Sequence, residues 1–596
     1  MVQEKFEKKL KERKSTKRIL LVFYFVFWSS ALLSFRLFQL QVIDSSKFQR
    51  LARDEHTEKI KIHALRGEIF DRHGKVLVIS VPGYSEAAFP PKIKNKLKTA
   101  ETLASILRLP VKSVISRLSS TSSFVWIRRK ISPQKVEKIK KLSLPGLELI
   151  RDSTGKQIYP SGSLACDILG FTGIDDQGLD GVELYYNKIL KGKNGYIEAE
   201  TDELGRILPD GKTKIIPPVS GADLILTISS RIQYLAQEAL KKCVLSHHAK
   251  NGSIIVINPN NGEILALANY PAFNPNVYWK YSPSVLNDLA VSDLYEPGST
   301  GKLFTAAAAL NSRKITMSEK FLAHPFINVD GWRIHNAADG LEPTKPMHTI
   351  KRIIQDSLNV GAASIALKIG KKTFYQMLYK FGLNGLTGID LPGEAYCLFP
   401  GYKRARKIDL ATMSYGQGIA LTPIQLARAY SVVANGGYLI RPHVLKEAVF
   451  PDGTVFKTPE QKGQKILSRK TDQDLKYLFS LVIKKGTGTM AQMRYYSAAG
   501  KTGTGSIAKN GVYLHGKYTA SFVGFVPVKH PKLLILVKIT EPQYPYWGGT
   551  VAAPVWKNLA EKTLWYLGIP PTKGRIKISL NNNLKDEAFG SHSKFK

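Results

Sequence analysis

The 596-residue sequence predicts an α+β protein with a membrane-anchor helix at its start, and three observations carry that reading. A 17-residue uncharged run, ILLVFYFVFWSSALLSF from Ile19 to Phe35, follows a strongly basic head. Two apolar segments, GSIIVI at 252–257 and EILALANY at 263–270, flank Asn258-Pro-Asn-Asn-Gly262 and read as strand, turn, strand. Two further strands, 520–526 and 533–539, return late in the chain after long helical stretches, which points to an antiparallel sheet with helices segregated around it.

The head, residues 1–18, carries eight Lys or Arg against Glu4, Glu7 and Glu12. Past Arg36 the apolar trend resumes to Ile43, so the run reaches the roughly 20 residues a bilayer requires if Arg36 snorkels to the interface. The positive-inside rule keeps the head in the cytoplasm and puts everything after residue 43 across the inner, cytoplasmic membrane, as a single-pass protein. The run is long for a signal peptide and no small-residue cleavage site follows it. The formal charge of +39 implies anionic surroundings. For an exported chain these are membrane lipid and acidic polymer, not nucleic acid.

Residues 44–60 are polar and helix-compatible and read as a stalk. Residues 61–220 show short alternating strands and turn signals such as His73-Gly74 and Pro82-Gly83, and read as an α+β non-catalytic pedestal, so that stalk and pedestal together occupy 44–220. Residues 221–567 form the catalytic domain, and 568–596, polar and basic, are expected to be a disordered tail. Cys166, Cys243 and Cys397 lie far apart with no CxxC spacing. They predict neither a disulfide framework nor a metal site, and no cofactor loop is present.

An enzyme of this kind must draw its nucleophile from ordinary side chains, and a serine with a lysine one helical turn on is a plausible source. Six S-x-x-K matches begin at Ser132, Ser153, Ser299, Ser506, Ser591 and Ser593, so context must separate them. Ser153 heads the same four letters as Ser299, but its helix cannot pass Pro160. Ser132 stands beside Pro133 at a helix start, Ser506 in a glycine-rich hairpin, and the last two in the tail. Only Ser299 follows a loop, Glu296-Pro297-Gly298, and opens an apolar helix, LFTAAAAL. A helix start aims N–H groups at Ser299, and the i, i+3 spacing puts Lys302 on the same face.

Lys302 acts as a base only when neutral. Lowering a lysine by about three pKa units costs roughly 4 kcal/mol, which burial and a second cation can supply. Lys501-Thr502-Gly503-Thr504, the sole K-T-G, offers that cation on a strand followed by a turn at Gly505. Gly503 would let substrate approach the strand edge, and Thr502 and Thr504 offer hydroxyls. Ser357-Leu358-Asn359, between apolar helical runs, supplies a proton shuttle (Ser357) and an orienting amide (Asn359); its bland alternative is a helix cap.

S-x-x-K, S-x-N and K-T-G in this order resemble the penicillin-binding proteins. The likeness extends through LTISSRIQ, NGEILALANYPAFNPN, VSDLYEPGSTGKLFT, GIDLPGE, ATMSYGQGIALTPIQLARAYSVVANGG and YSAAGKTGT, which resemble the class B transpeptidases of the septal FtsI or penicillin-binding protein 3 type. RGEIFDRHGKVL at 66–77 and the IYP and GLDGVE segments at 158–183 resemble that family's pedestal. Leu358 stands where many members have serine, and His73 where asparagine is frequent. The resemblance implies a serine-type peptidoglycan D,D-transpeptidase that cross-links stem peptides at the division septum and is acylated by β-lactam antibiotics. It needs no cofactor or metal. Nothing in 44–220 resembles a glycosyltransferase, so lipid II-derived glycan would come from a SEDS-family polymerase of the FtsW type, among other divisome membrane partners. A hydrolase with the same nucleophile, or an anchored scaffold or β-lactam sensor, are the other readings of the same residues.

Overall fold

The computed structural model describes residues 2–48, 57–122, 124–131, 133–142, 144–200, 213–337, 346–509 and 511–573. These fall into two units, one of residues 1–64 with 193–219 and one of 65–192 with 220–596.

In the first unit a helix runs over Val2–Phe38 and continues as a π-turn over Gln39–Ile43. Its stretch Thr16–Ile43, 28 residues containing an 18-residue window with a mean hydropathy of 1.8 and no buried share, is long and apolar enough to cross a membrane. The expected stalk is only in part helical. Residues 49–56 lie outside the described ones, and Thr57–Ile62 is a strand, not helix. Its TEKIKI alternation pairs antiparallel with Gly195–Glu200, which pairs in turn with Thr213–Ile216. Lys59 reaches Glu198 at 3.2 Å across that ladder. The partner strand lies far along the chain, so a local reading of 44–60 had no access to it.

Among the described residues the second unit contains two large sheets and three two-stranded ones. The first runs in the order Val455–Lys457, Leu445–Val449, Asp223–Leu226, Ile69–Phe70, Val76–Ala88, Val125–Ile131, and Leu147–Ile158 also pairs with the long strand Val76–Ala88. Helices Lys96–Leu107, Val111–Leu118 and Pro133–Lys140 close over it through Leu103, Leu107, Val114, Ile127 and Val136. The RGEIFDR segment is more than a charged turn. Arg66, 2% exposed, donates from Nε to Glu183 Oε2 at 2.6 Å, from Nη2 to Glu183 O, and from Nη1 to Asn187 Oδ1 and Asp176 O. All three guanidinium nitrogens thereby donate, as a buried charge requires. Asp71 folds the next turn by accepting from the amides of His73 and Lys75.

The second sheet is five-stranded and antiparallel, in the order Ile264–Tyr270, Asn251–Ile257, Leu533–Thr540, Val512–Val526, Ala499–Lys509. Its strands are apolar on both faces, as a sheet covered on both sides must be. Ile254, Val256, Phe522, Ile535 and Val537 pack under helices Ser230–Ser246 and Gly548–Tyr566. Ile255, Ile257, Val523, Leu534 and Leu536 face a larger core built with helices Lys302–Asn311, Pro423–Ala434 and Arg469–Lys485. Ala499–Lys509, the strand bearing the K-T-G, is at the sheet edge, open to a ligand.

Residues 568–573, expected in the disordered tail, instead fold back. The Thr572 and Lys573 amides donate to Tyr495 O, and Ser497 N donates to Thr572 Oγ1 at 2.8 Å. The remainder of that tail, 574–596, lies outside the described residues, as do Ser132, Ser591 and Ser593. Ser153 is on the strand Leu147–Ile158. Cys166 and Cys243 are buried and Cys397 partly so, all three free thiols.

Candidate active site

Three segments meet at the edge of the five-stranded sheet. Gly298–Gly301 is a 3-10 turn and the α-helix proper begins at Lys302, so Ser299 precedes the α-helix instead of opening it. The turn keeps the i, i+3 relation, and Lys302 Nζ lies 2.8 Å from Ser299 Oγ. Gly298 adopts φ 53°, and a Cβ there would come within 2.6 Å of Thr504 O. This left-handed residue therefore lets the nucleophile's turn lie against the K-T-G strand. Tyr430 OH bonds Thr300 O at 2.7 Å and the Thr300 hydroxyl bonds Pro297 O at 2.7 Å, fixing the turn from within.

Ser357 occupies the turn between helices Ile350–Gln355 and Asn359–Ile369 with φ 62°, an uncommon conformation for a side-chain-bearing residue and one found at functional turns. The capping alternative fails: Leu358 is the N-cap and the helix has no side-chain cap bond. Ser357 Oγ instead accepts from Lys302 Nζ at 3.3 Å and from Lys501 Nζ at 2.9 Å. Lys302 also donates to Ser357 O at 3.0 Å and to Asn359 Oδ1 at 2.7 Å. The Asn359 amide nitrogen donates to His335 O at 3.3 Å, which orients its oxygen toward the lysine.

Lys302 and Lys501 are both 0% exposed, so two amines share one hydroxyl in a site closed to bulk water. Lys302 Nζ lies among the oxygens of Ser299, Ser357 and Asn359. An amine 2.8 Å from a serine hydroxyl is placed to take its proton whenever it is neutral, and the Ser357 hydroxyl links that amine to the second one.

The K-T-G strand departs from expectation in two ways. It runs unbroken from Ala499 to Lys509, with Gly505 paired to Thr519 in the ladder, so the hairpin turn falls beyond Lys509, and Ser506 is a strand residue. At Gly503 a Cβ would meet Ser521 Oγ at 2.5 Å and Pro297 O at 2.6 Å. The space that glycine leaves is filled by the nucleophile's own loop, not kept for substrate. Lys501 is committed to Ser357, Thr502 O and Thr502 Oγ1. The Thr502 hydroxyl also bonds Thr487 Oγ1 at 2.8 Å, and Thr504 Oγ1 accepts from Gly548 N at 3.1 Å. Of these two threonines, Thr502 is buried and Thr504 half-buried, so Thr504 offers the accessible hydroxyl.

Sequence reasoning did not single out Glu296, Tyr415, Thr487, Tyr513 or Gly548. Glu296 accepts from Gly418 N at 2.8 Å and from Tyr513 OH at 3.1 Å, and burial pushes its carboxyl up. The Tyr415 ring lies 6.0 Å from Lys302 Nζ. The YGQG signal at 415–418, with two left-handed glycines, could have drawn attention to that loop. The others act through contacts distant in sequence. Among the described residues no group of three or more His, Cys, Asp or Glu could hold a metal ion.

Comparison with known proteins agrees with this geometry. Residues 252–561 match the penicillin binding protein transpeptidase domain, and residues 61–226 the penicillin-binding protein dimerisation domain. The chain is 34% identical to stage V sporulation protein D of Bacillus subtilis, over 94% of this chain and 87% of that one. It is 30% identical to the peptidoglycan D,D-transpeptidase FtsI of Escherichia coli, over 86% of this chain and 85% of the relative. Among solved structures, penicillin binding protein 3 of Mycobacterium tuberculosis in complex with aztreonam superposes with a TM-score of 0.67 at 24% identity, covering 86% of this chain and 98% of that one, and so shares the fold. The lysine-flanked serine, the edge strand beside it and the two matched domains place the chain in the penicillin-binding protein transpeptidase family.

Proposed function

We propose that the protein is a serine-type peptidoglycan D,D-transpeptidase that cross-links stem peptides in septal wall synthesis, with Ser299 as nucleophile. The observation that carries this assignment is the chain Ser299 Oγ, Lys302 Nζ, Ser357 Oγ, Lys501 Nζ, each link 2.8 to 3.3 Å long. Ser299 Oγ attacks the carbonyl joining the two terminal D-alanines of a donor stem, and its proton passes to neutral Lys302. The oxyanion is met by the backbone N–H groups of Ser299 and Thr504, typically about 2.7–4 kcal/mol per donor. The C–N bond then breaks, and the departing D-alanine takes its proton through Ser357. Asn359 holds Lys302 in line. Lys501 lends positive charge beneath the substrate carboxylate, with the Thr504 hydroxyl as its contact and Thr502 keeping Lys501 in place. An amine of a second stem attacks the acyl ester, Lys302 accepts that amine's proton, and Ser299 is regenerated with it. β-Lactams imitate the donor and remain on Ser299.

The Thr16–Ile43 helix anchors the chain in the cytoplasmic membrane, its basic head inside and the catalytic domain outside. Residues 44–220 serve as pedestal and 221–567 as catalytic domain. Glycan strands come from a SEDS-type polymerase of the FtsW kind, with other divisome membrane proteins as neighbours.

Labelling the full chain with a fluorescent penicillin tests the assignment. Label absent from Ser299→Ala, retained in Ser153→Ala and persisting for many minutes supports a transpeptidase over a β-lactamase. A folded wild-type chain that takes no label refutes it and leaves the anchored scaffold.

A further inference from the structure

Away from the Ser299 cleft, and sharing no residue with it, a cavity of about 610 Å³ opens where the pedestal strands Val125–Ile131 and Leu147–Ile158 meet the loop at 172–174 and the 3-10 helix Pro275–Lys280. Its walls combine three kinds of group. Trp126 and Trp279 present indole surface, 39% and 58% exposed. Arg128 and Lys156 supply positive charge, and neither forms an ion pair among the described residues, whereas the adjacent Arg129 and Lys130 do, with Asp175 and Asp176. Glu86, opposite Arg128 in the ladder, does not neutralise it: both its carboxylate oxygens are buried without a partner. Burial first, then the charges of Arg128, Lys135 and Lys130, push the Lys156 ammonium down. The third group is Gln157, only 5% exposed, whose amide oxygen and nitrogen both lack a partner. A buried amide left unsatisfied is costly unless something else completes it.

Unneutralised cations beside aromatic faces and a vacant donor–acceptor amide suit a ligand that carries a carboxylate, apolar ring faces and an amide of its own. A peptide added as a further strand fits less well. The outer carbonyls of the edge strand, Trp126 O and Ile127 O, already accept from Arg117 Nη1, so that ladder is closed to a newcomer.

We propose that this cavity is a second polymer-binding site, one that holds a carboxylate-bearing N-acyl amino sugar segment of an anionic glycan. The ring faces lie on Trp126 and Trp279, the N-acyl group pairs with the Gln157 amide, and the carboxylate is met by Arg128 and Lys156. The inference rests on the peptidoglycan reading above, since that wall polymer joins N-acyl amino sugars to stems that bear the carboxylates. Its place on the pedestal would keep a strand beside the enzyme between acyl-transfer events.

The test uses the full chain in detergent with Ser299 already acylated by penicillin, so that the cleft is blocked. A soluble muropeptide, a neutral chitobiose and an acidic peptide of matching charge are titrated against tryptophan fluorescence and by equilibrium dialysis. The expected result is saturable muropeptide binding at least ten-fold tighter than either competitor and weakened by salt. It falls at least ten-fold in Arg128→Ala/Lys156→Ala and several-fold in Gln157→Leu, while both variants melt normally and acylate at the wild-type rate. No muropeptide binding, equal binding of chitobiose, tighter binding of the peptide, or binding unchanged in well-folded variants each overturns the site. Failure of penicillin to acylate the wild-type chain would instead overturn the transpeptidase reading.

Discussion

The catalytic cleft and the pedestal each bury a pair of charge-bearing side chains, and they handle it in opposite ways. In the pedestal Arg66 and Glu183 are 2% and 1% exposed, of opposite sign, and all three nitrogens of the guanidinium donate. In the cleft Lys302 and Lys501 are both wholly buried, of like sign, and both bonded to the neutral Ser357 hydroxyl. The first arrangement is a staple: its charges satisfy each other and no proton need move. The second gathers two amines around one neutral hydroxyl, a geometry suited to proton transfer. Burial alone therefore does not mark a functional charge; the sign and completeness of its partners do.

The largest effect that would sharpen this contrast is at Lys302. Lys302→Met should lower the penicillin acylation rate by at least about 1,000-fold, and Lys302→Arg should not rescue it because a guanidinium does not release its proton. Stopped-flow acylation checks both, with near-normal thermal melting as the required companion result. A Lys302→Arg variant with wild-type acylation would break the comparison.

Next comes the staple. Arg66→Met leaves Glu183 buried without its partner and should cost about 3–5 kcal/mol in denaturant unfolding. The molecules that remain folded should acylate as wild type. Replacing both partners by apolar residues, Arg66→Met with Glu183→Leu, should recover much of the loss. A double variant worse than the single one would show that the pair does more than hold the fold.

A third buried charge lies between these cases. Glu86 is fully buried with neither oxygen partnered, and burial pushes its carboxyl up to about 7. The protonated form is thus the folded one. The stability this confers is complete below about pH 4.5 and is lost as pH rises toward and through 7. Glu86→Gln should flatten that pH dependence and stabilise the protein at pH 8 by on the order of 3 kcal/mol, read from melting curves between pH 4 and 9. A variant whose pH profile matches wild type would show that Glu86 finds a partner in solution.

Thr504→Val keeps shape and removes the accessible hydroxyl, and should weaken acylation roughly ten-fold with little change in melting, about the value of one hydrogen bond to a charged group. Ser153→Ala, the matched tetrapeptide on a pedestal strand, should change neither labelling nor stability measurably.

How legible these features were depended on how far apart their causes lie. The strands 252–257 and 264–270 could be read because alternation and an intervening Asn-Gly turn are local, and the Ser299–Lys302 pair because i, i+3 geometry survives in a 3-10 turn as in an α-helix. The turn expected at Gly505 was misread because glycine is ambiguous: it marks a bend or a close approach, and here the strand runs straight through it. Residues 57–60 were misread as helix-compatible stalk because only the distant partner Gly195–Glu200 makes Thr57–Ile62 a strand. The unpaired cations of the pedestal cavity were not legible at all, since a +39 total does not say which charges find acids.

By itself the sequence determined the apolar N-terminal run, the order of the three motifs and the candidate nucleophile among six matches, because each depends on neighbours within a few residues. Only the tertiary structure decided that Lys302 and Lys501 converge on Ser357 across separations of 55 and 144 residues, that Gly503 makes room for the nucleophile's own loop, and that Arg66 neutralises Glu183. The physical reason is that proximity between distant segments is set by how sheet and helices pack, and a side chain's protonation and partners follow from that proximity and not from its place along the chain.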